Sequence, residues 1–109
     1  MFVSTSDYIP GFQYQILGLV RGNVVSSKNI GRDLMASTKS IVGGEIKSYT
    51  MMLDEARTIA EQRMVDAAQN LGADGVVGVR FTSGNIMQGT VEMLAYGTAI
   101  KLITGQPAE

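Results

Sequence analysis

Apolar residues fall at helical spacing through one long central stretch of the chain and crowd at strand spacing on either side of it. From Gln13 to Val25 the residues are rich in Ile, Leu and Val, lack proline, and read as a strand apolar on both faces. Ile16, Val20 and Val24 fall on one side, together with Gly18 and Gly22, and Leu17, Leu19 and Val25 on the other. Pro10-Gly11 signals a turn before it, and Met1 to Thr5 reads as a short edge strand. In Glu45 to Leu71 the residues Ile46, Tyr49, Leu53, Ala56, Ala60, Met64, Ala67 and Leu71 step by three or four, the stripe of an amphipathic helix. Lys47, Asp54, Glu61 and Arg63 lie opposite, and Arg57 and Glu61 are spaced for an ion pair. Gly72 suits the left-handed position that ends a helix.

Two strands follow. Gly75 to Ser83 sets Val77, Val79 and Phe81 against Val76, Arg80 and Thr82, and a loop over Gly84 to Gly89 turns the chain back. Thr90 to Leu102 sets Val91, Met93, Ala95 and Ala99 against Leu94, Tyr96, Ile100 and Leu102. Between the first strand and the long helix, Ser26 to Gly44 is irregular, with Asn29 a candidate N-cap for a short helix carrying Ile30, Leu34 and Met35 inward. The expected architecture is α+β: a two-layer β-α-β-β domain over residues 1–103, one long helix on an antiparallel sheet, with residues 104–109 a flexible C-terminal tail.

That pattern carries a consequence for assembly. One helix covers one sheet face only, yet the first and last long strands are apolar on both. A monomer would leave a large apolar patch in water, which soluble monomers rarely do. A homo-oligomer that buries the second face, and with it the sheet edges, is the expected resolution. The alternative is a cover made from the N-terminal segment and residues 26–44.

Composition narrows the chemistry. The chain is 45% hydrophobic and 17% charged over 109 residues, a globular balance. Nine basic against ten acidic residues, without any charge block, leave no footprint for nucleic acid or an anionic membrane. Cysteine and histidine are both absent, which removes disulfides, thiol catalysis and the commonest zinc ligands. Met1 to Asp7 lacks the regions of a signal peptide, and Ile16 to Val20 is far short of the ~20 residues of a membrane span. A cytoplasmic location is expected.

Leu71-Gly-Ala-Asp-Gly-Val-Val-Gly78 has the glycines of a dinucleotide fingerprint, but they run from helix into strand, the reverse of the nucleotide-binding order. They read as a helix end, a tight turn and close packing. Gly43-Gly44 sit where a helix N-terminus would offer backbone N–H groups to an anion, without the lysine of a phosphate loop; glycines needed for a tight lead into the helix explain them equally. Around Arg32, Asn29 and Asp33 supply a hydrogen-bonding group and a carboxylate able to orient the guanidinium toward an anion. The same residues suit a helix cap and an intersubunit salt bridge. Asp54-Glu55 point in different directions on a helix, and Met51-Met52 read as core or interface packing. No acid–base pair is visible, Ser40 included, so no enzyme is expected.

Asn29-Ile-Gly-Arg-Asp33, Ile41-Val-Gly-Gly44, Leu71-Gly-Ala-Asp-Gly-Val-Val-Gly78 and Gly97-Thr-Ala-Ile-Lys101, in that order, resemble the YbjQ-like family over nearly all of Met1 to Leu102. The resemblance implies a subunit similar to dodecin's, assembled as a ring-shaped homopentamer. It also implies a family label of heavy-metal binding, which a chain without Cys or His meets only through oxygen or methionine ligands. No cofactor is expected. The expected partners are further copies of the chain and a small anionic ligand, or a metal, at subunit junctions. The candidate ligand residues are Asn29, Arg32, Asp33, Gly43 and Gly44, with Asp74 as a capping carboxylate. A ring scaffold with no small ligand is the alternative.

Overall fold

The computed structural model describes residues 1–27, 41–42 and 45–103. The elements run β1 (Phe2–Val3), β2 (Tyr14–Ser27), β3 (Ile41–Val42), β4 (Glu45–Ile46), α1 (Lys47–Asn70), β5 (Gly75–Met87) and β6 (Thr90–Leu102). Four strands form one mixed sheet in the order β1-β5-β6-β2, and β3 and β4 form a separate antiparallel pair. The three long strands are antiparallel to their neighbours; β1 lies parallel to the start of β5, so the expected edge strand is present and makes the sheet mixed.

The helix packs on the sheet through a stripe of four-residue steps, Ala56, Ala60, Met64 and Ala68, all fully buried. Opposite them lie Val20, Met93, Ala95, Ala99, Val76 and Val79. Gly22 meets the helix at its closest approach: a Cβ there would lie 2.7 Å from the backbone carbon of Arg63 and closer still to the backbone of Ala60 and Met64. Small residues on both layers are thus what lets the helix sit down on β2 and β6.

Several expected details are corrected. A bulge between Ile16 and Gly18 reverses the facing of β2 ahead of it. Ile16 is therefore turned out and 67% exposed, while Leu17 packs against the core. A second irregularity between Val77 and Arg80 puts Val76 and Val79 together on the helix side and parts Val79 from Val77. At the helix end the stripe continues through Ala68 rather than Leu71, which is 52% exposed because α1 has already stopped at Asn70. Arg57 makes its ion pair with Asp54, 3.1 Å away, in place of the one expected with Glu61.

Glu45 does not occupy a helix N-terminus. It pairs in β4 with Val42, and the first turn of α1 holds no acidic residue. β5 continues through residues 84–87, expected to be loop, so that Met87 pairs with Thr90 and only Gln88-Gly89 turn the hairpin. The expected short helix after Asn29 and the tail at 104–109 lie outside the described residues.

Candidate functional site

Asp74 belongs to the hinge between α1 and β5. Ala73 N donates to Ala68 O at 3.0 Å and Gly72 N to Gln69 O at 2.9 Å, the paired bonds that close a helix around a left-handed glycine, here Gly72 at φ +79°. The chain then turns so that Asp74 N donates to Ile100 O at 2.8 Å, and Asp74 Oδ2 accepts from Leu102 N at 2.8 Å. Lys101 Nζ lies 3.8 Å from the same carboxylate and donates to Gly72 O at 3.2 Å. The carboxylate thus accepts from a backbone N–H and ties the hinge to the end of β6.

Asn29, Arg32, Asp33, Gly43 and Gly44 lie outside the described residues, but the positions that bracket them do not. Val24 to Ser27, at the end of β2, and Ser48, Met51 and Met52, at the start of α1, line one groove of about 580 Å³, completed by Glu55 and Ile59. Both ends of the chain segment that carries those five residues therefore open at this groove. Asp74 does not: α1, 24 residues long, separates it from that end by about 36 Å at 1.5 Å per residue.

The groove wall is aliphatic and thioether, with serine hydroxyls and a single carboxylate, Glu55. Met51, read from the sequence as packing, is 63% exposed there. A second groove of about 380 Å³ continues the same side of the domain, lined by Leu19, Val20, Arg21, Ala67 and Leu71. Between the two, Arg63 reaches across from α1 and donates to Asn23 O at 2.7 Å. The flank between β2 and the helix thus carries two grooves, which together form a trough interrupted by the Arg63 guanidinium.

The sheet face away from the helix is also open along β2. Register sets three-strand rows across it: Leu19, Thr98 and Val77; Arg21, Tyr96 and Arg80; Val25, Glu92 and Gly84. Leu19 is 67% and Val25 56% exposed. Asn23 Nδ2 donates to Glu92 Oε2 at 3.2 Å. Arg80 turns toward the N-terminal segment, donating to Thr5 O at 3.0 Å and lying 3.9 Å from Asp7. Among the described residues Arg21 pairs with no carboxylate, which leaves it beside Tyr96 as an uncompensated cation. Sequence reasoning passed over Arg21 and the trough alike; the signal available was the widening of the helix's apolar stripe toward Met51 and Ile59.

This arrangement can hold a chain segment or a ligand against aliphatic, thioether and hydroxyl groups. For a heavy metal, no three carboxylates cluster among the described residues and the chain has neither thiolate nor imidazole, so the soft groups present at the groove are the thioethers of Met51 and Met52. No helix among the described residues is long and apolar enough to cross a membrane.

Residues 1–103 match the family model described as "putative heavy-metal-binding". Proteins named only as UPF0145 proteins are similar over almost their whole length. The one from Vibrio campbellii is 62% identical, covering 94% of this chain and 100% of its own. The one from Thermotoga maritima is 54% identical, covering 94% and 97%. A crystal structure of a protein of unknown function from Pediococcus pentosaceus superposes with a TM-score of 0.64 at 20% identity, over 94% of this chain and 98% of that one, a likeness of fold.

Proposed function

The chain belongs to the YbjQ-like family, and from that premise we propose that it is a cytoplasmic, non-enzymatic, homo-oligomeric module, a pentameric ring that takes a small anionic ligand at its subunit junctions. The observation that carries this reading is the uncovered flank and face of β2. Leu19 and Val25 stand in water there beside Arg21, a cation with no carboxylate partner among the described residues. A further copy set against that flank removes the apolar area from water and leaves positive charge at the junction. Arg32 adds a second guanidinium on the segment whose two ends open at the first groove, with Asp33 to orient it, Asn29 to hydrogen-bond and Gly43 and Gly44 to offer N–H donors.

Native mass spectrometry of protein taken from cell extract, with elemental analysis, tests this reading. A stoichiometric organic or phosphate mass on an oligomer is expected, and it should be lost from Arg32→Ala while the oligomer persists. A monodisperse monomer sinks the proposal. An oligomer with no added mass across several preparations favours a second reading, a ring scaffold that recruits partners without a small ligand. One observation leans that way: the Asp74 carboxylate is already engaged within its own chain by Leu102 and Lys101.

A further inference from the structure

Both edges of the sheet are open over the same rows. On one side, β5 is accompanied by β1 and the N-terminal segment only as far as Val79, whose N–H donates to Ser4 O at 3.0 Å. Beyond it, among the described residues, nothing bonds to the outer backbone edge of Arg80 to Met87, and every residue of that stretch is exposed. On the other side β2 is the terminal strand of the sheet. From Arg21 to Ser26 its outer edge is met, among the described residues, by a single group, Arg63 on the Asn23 carbonyl, which leaves that oxygen a second lone pair. Arg21 and Arg80 share one row, and Val25 and Gly84 another.

Exposed edges are ordinarily protected by lysine, proline, short length or a covering element. These two stretches carry no proline, no lysine and one charge each, Arg21 and Arg80, the second already facing Asp7. Their lengths match to within two residues. They also run in the same direction, since β6 is antiparallel to both. The helix supplies the complement. It lies over β2 and β6, so Phe81, on the helix side of β5 opposite Ala95, has no helix above it and stays exposed. On the far side, α1 overhangs the β2 edge with the flank of Met51 and Ile59, which lines the groove beside Val24 to Ser27.

We propose that the β2 edge of one copy pairs, parallel and head to tail, with Arg80–Met87 of β5 in the next, so that Phe81 of each copy lies under the helix flank of its neighbour. This rests on the oligomeric reading above and specifies its interface. The two surfaces differ, so the contact is heterologous. Rotation about an axis along the strands keeps their direction, so repetition closes a ring whose sheets join into one barrel, without a free edge. The trough's thioethers and aliphatic groups suit it, because they accept the uncharged side chains of this stretch.

The chain has no cysteine, so introduced pairs report the contact directly. Val25→Cys is combined in turn with Thr82→Cys, Ser83→Cys, Asn85→Cys and Ile86→Cys, which spans the possible registers, and each single variant serves as control. Within one chain these positions are two strands apart, about 10 Å, too far for a disulfide. Mild oxidation is expected to link at least one double variant into a ladder of covalent multimers and no single variant. Dimers from Val25→Cys alone mean that two β2 edges meet each other, and overturn the proposal. Val25→Lys/Ile86→Lys, with circular dichroism as the check on folding, is expected to fall from the assembled mass to the 11.7 kDa monomer by light scattering. A folded double-lysine variant that keeps the assembled mass overturns it too, and assigns the trough to another occupant, such as the chain's own residues 28–46. If the unmodified chain assembles but no double variant cross-links, this interface falls and the oligomeric reading stands; if the unmodified chain is a monomer, both fall.

Discussion

Gly22 and Asp74 are the two residues on which the packing and the hinge depend most directly. A methyl group at residue 22 would collide with the backbone of Ala60, Arg63 and Met64, which cannot swing aside as a side-chain tip can. Overpacking of this kind costs about 1–3 kcal/mol, and Gly22→Ala belongs at the upper end because the obstacle is main chain. Urea unfolding checks it: the midpoint should fall with an unchanged slope. Asp74→Ala leaves the Leu102 N–H without its acceptor and takes the ion-pair partner from Lys101 at a partly exposed site, a loss of about 1–2 kcal/mol. Asp74→Asn retains an acceptor oxygen and should cost less. Equal midpoints for Asp74→Ala and the unmodified chain would mean the cap contributes nothing, and would release Asp74 for a ligand.

At the scale of the element, α1, β2 and β5 are each shaped by local irregularities. Gly72 closes α1 with the paired bonds from residues 72 and 73, and its φ of +79° is a conformation that costs a side-chain-bearing residue about 1–2 kcal/mol. Gly72→Ala should lower the thermal midpoint by several degrees and speed amide exchange at Gly72 and Ala73 first, ahead of the middle of α1. The bulges in β2 and β5 decide facing. Without the first, Ile16 rather than Leu17 would turn to the core; without the second, Val79 would share a face with Val77. The sequence shows glycines near both places, but a glycine in a strand pattern is compatible with a bulge, a bend or close packing, and Gly22 proves to be the last of these.

For the whole molecule, the uneven cover is the governing feature. α1 sits over β2 and β6, leaving the distal β5–β6 hairpin and the second face of β2 in water. In the assembled protein, those amides of Phe81 to Met87 that point away from β6 should exchange slowly, and in the double-lysine monomer they should exchange within the dead time of the measurement. Rapid exchange in an assembled sample would place the interface elsewhere. Zinc in molar excess, compared with a chelator, should leave the thermal midpoint unchanged, because the chain has no Cys or His and no three carboxylates cluster among the described residues.

Residue order alone determined the elements and their layers. The four-residue stripe through Ala56, Ala60 and Met64 and the bounds of Thr90–Leu102 were legible, because periods of 3.6 and 2 survive in any one-dimensional reading. So was the ending at Gly72, where local chemistry suffices. Tertiary structure decided what depends on partners distant in sequence. It set the register shifts that turn Ile16 out and engaged Asp74 with Leu102. It also displaced the helix toward one edge and so opened the trough beside β2. Hydrophobic periodicity tells which side of an element is apolar; only the packing of one element on another tells which part of that side is left uncovered.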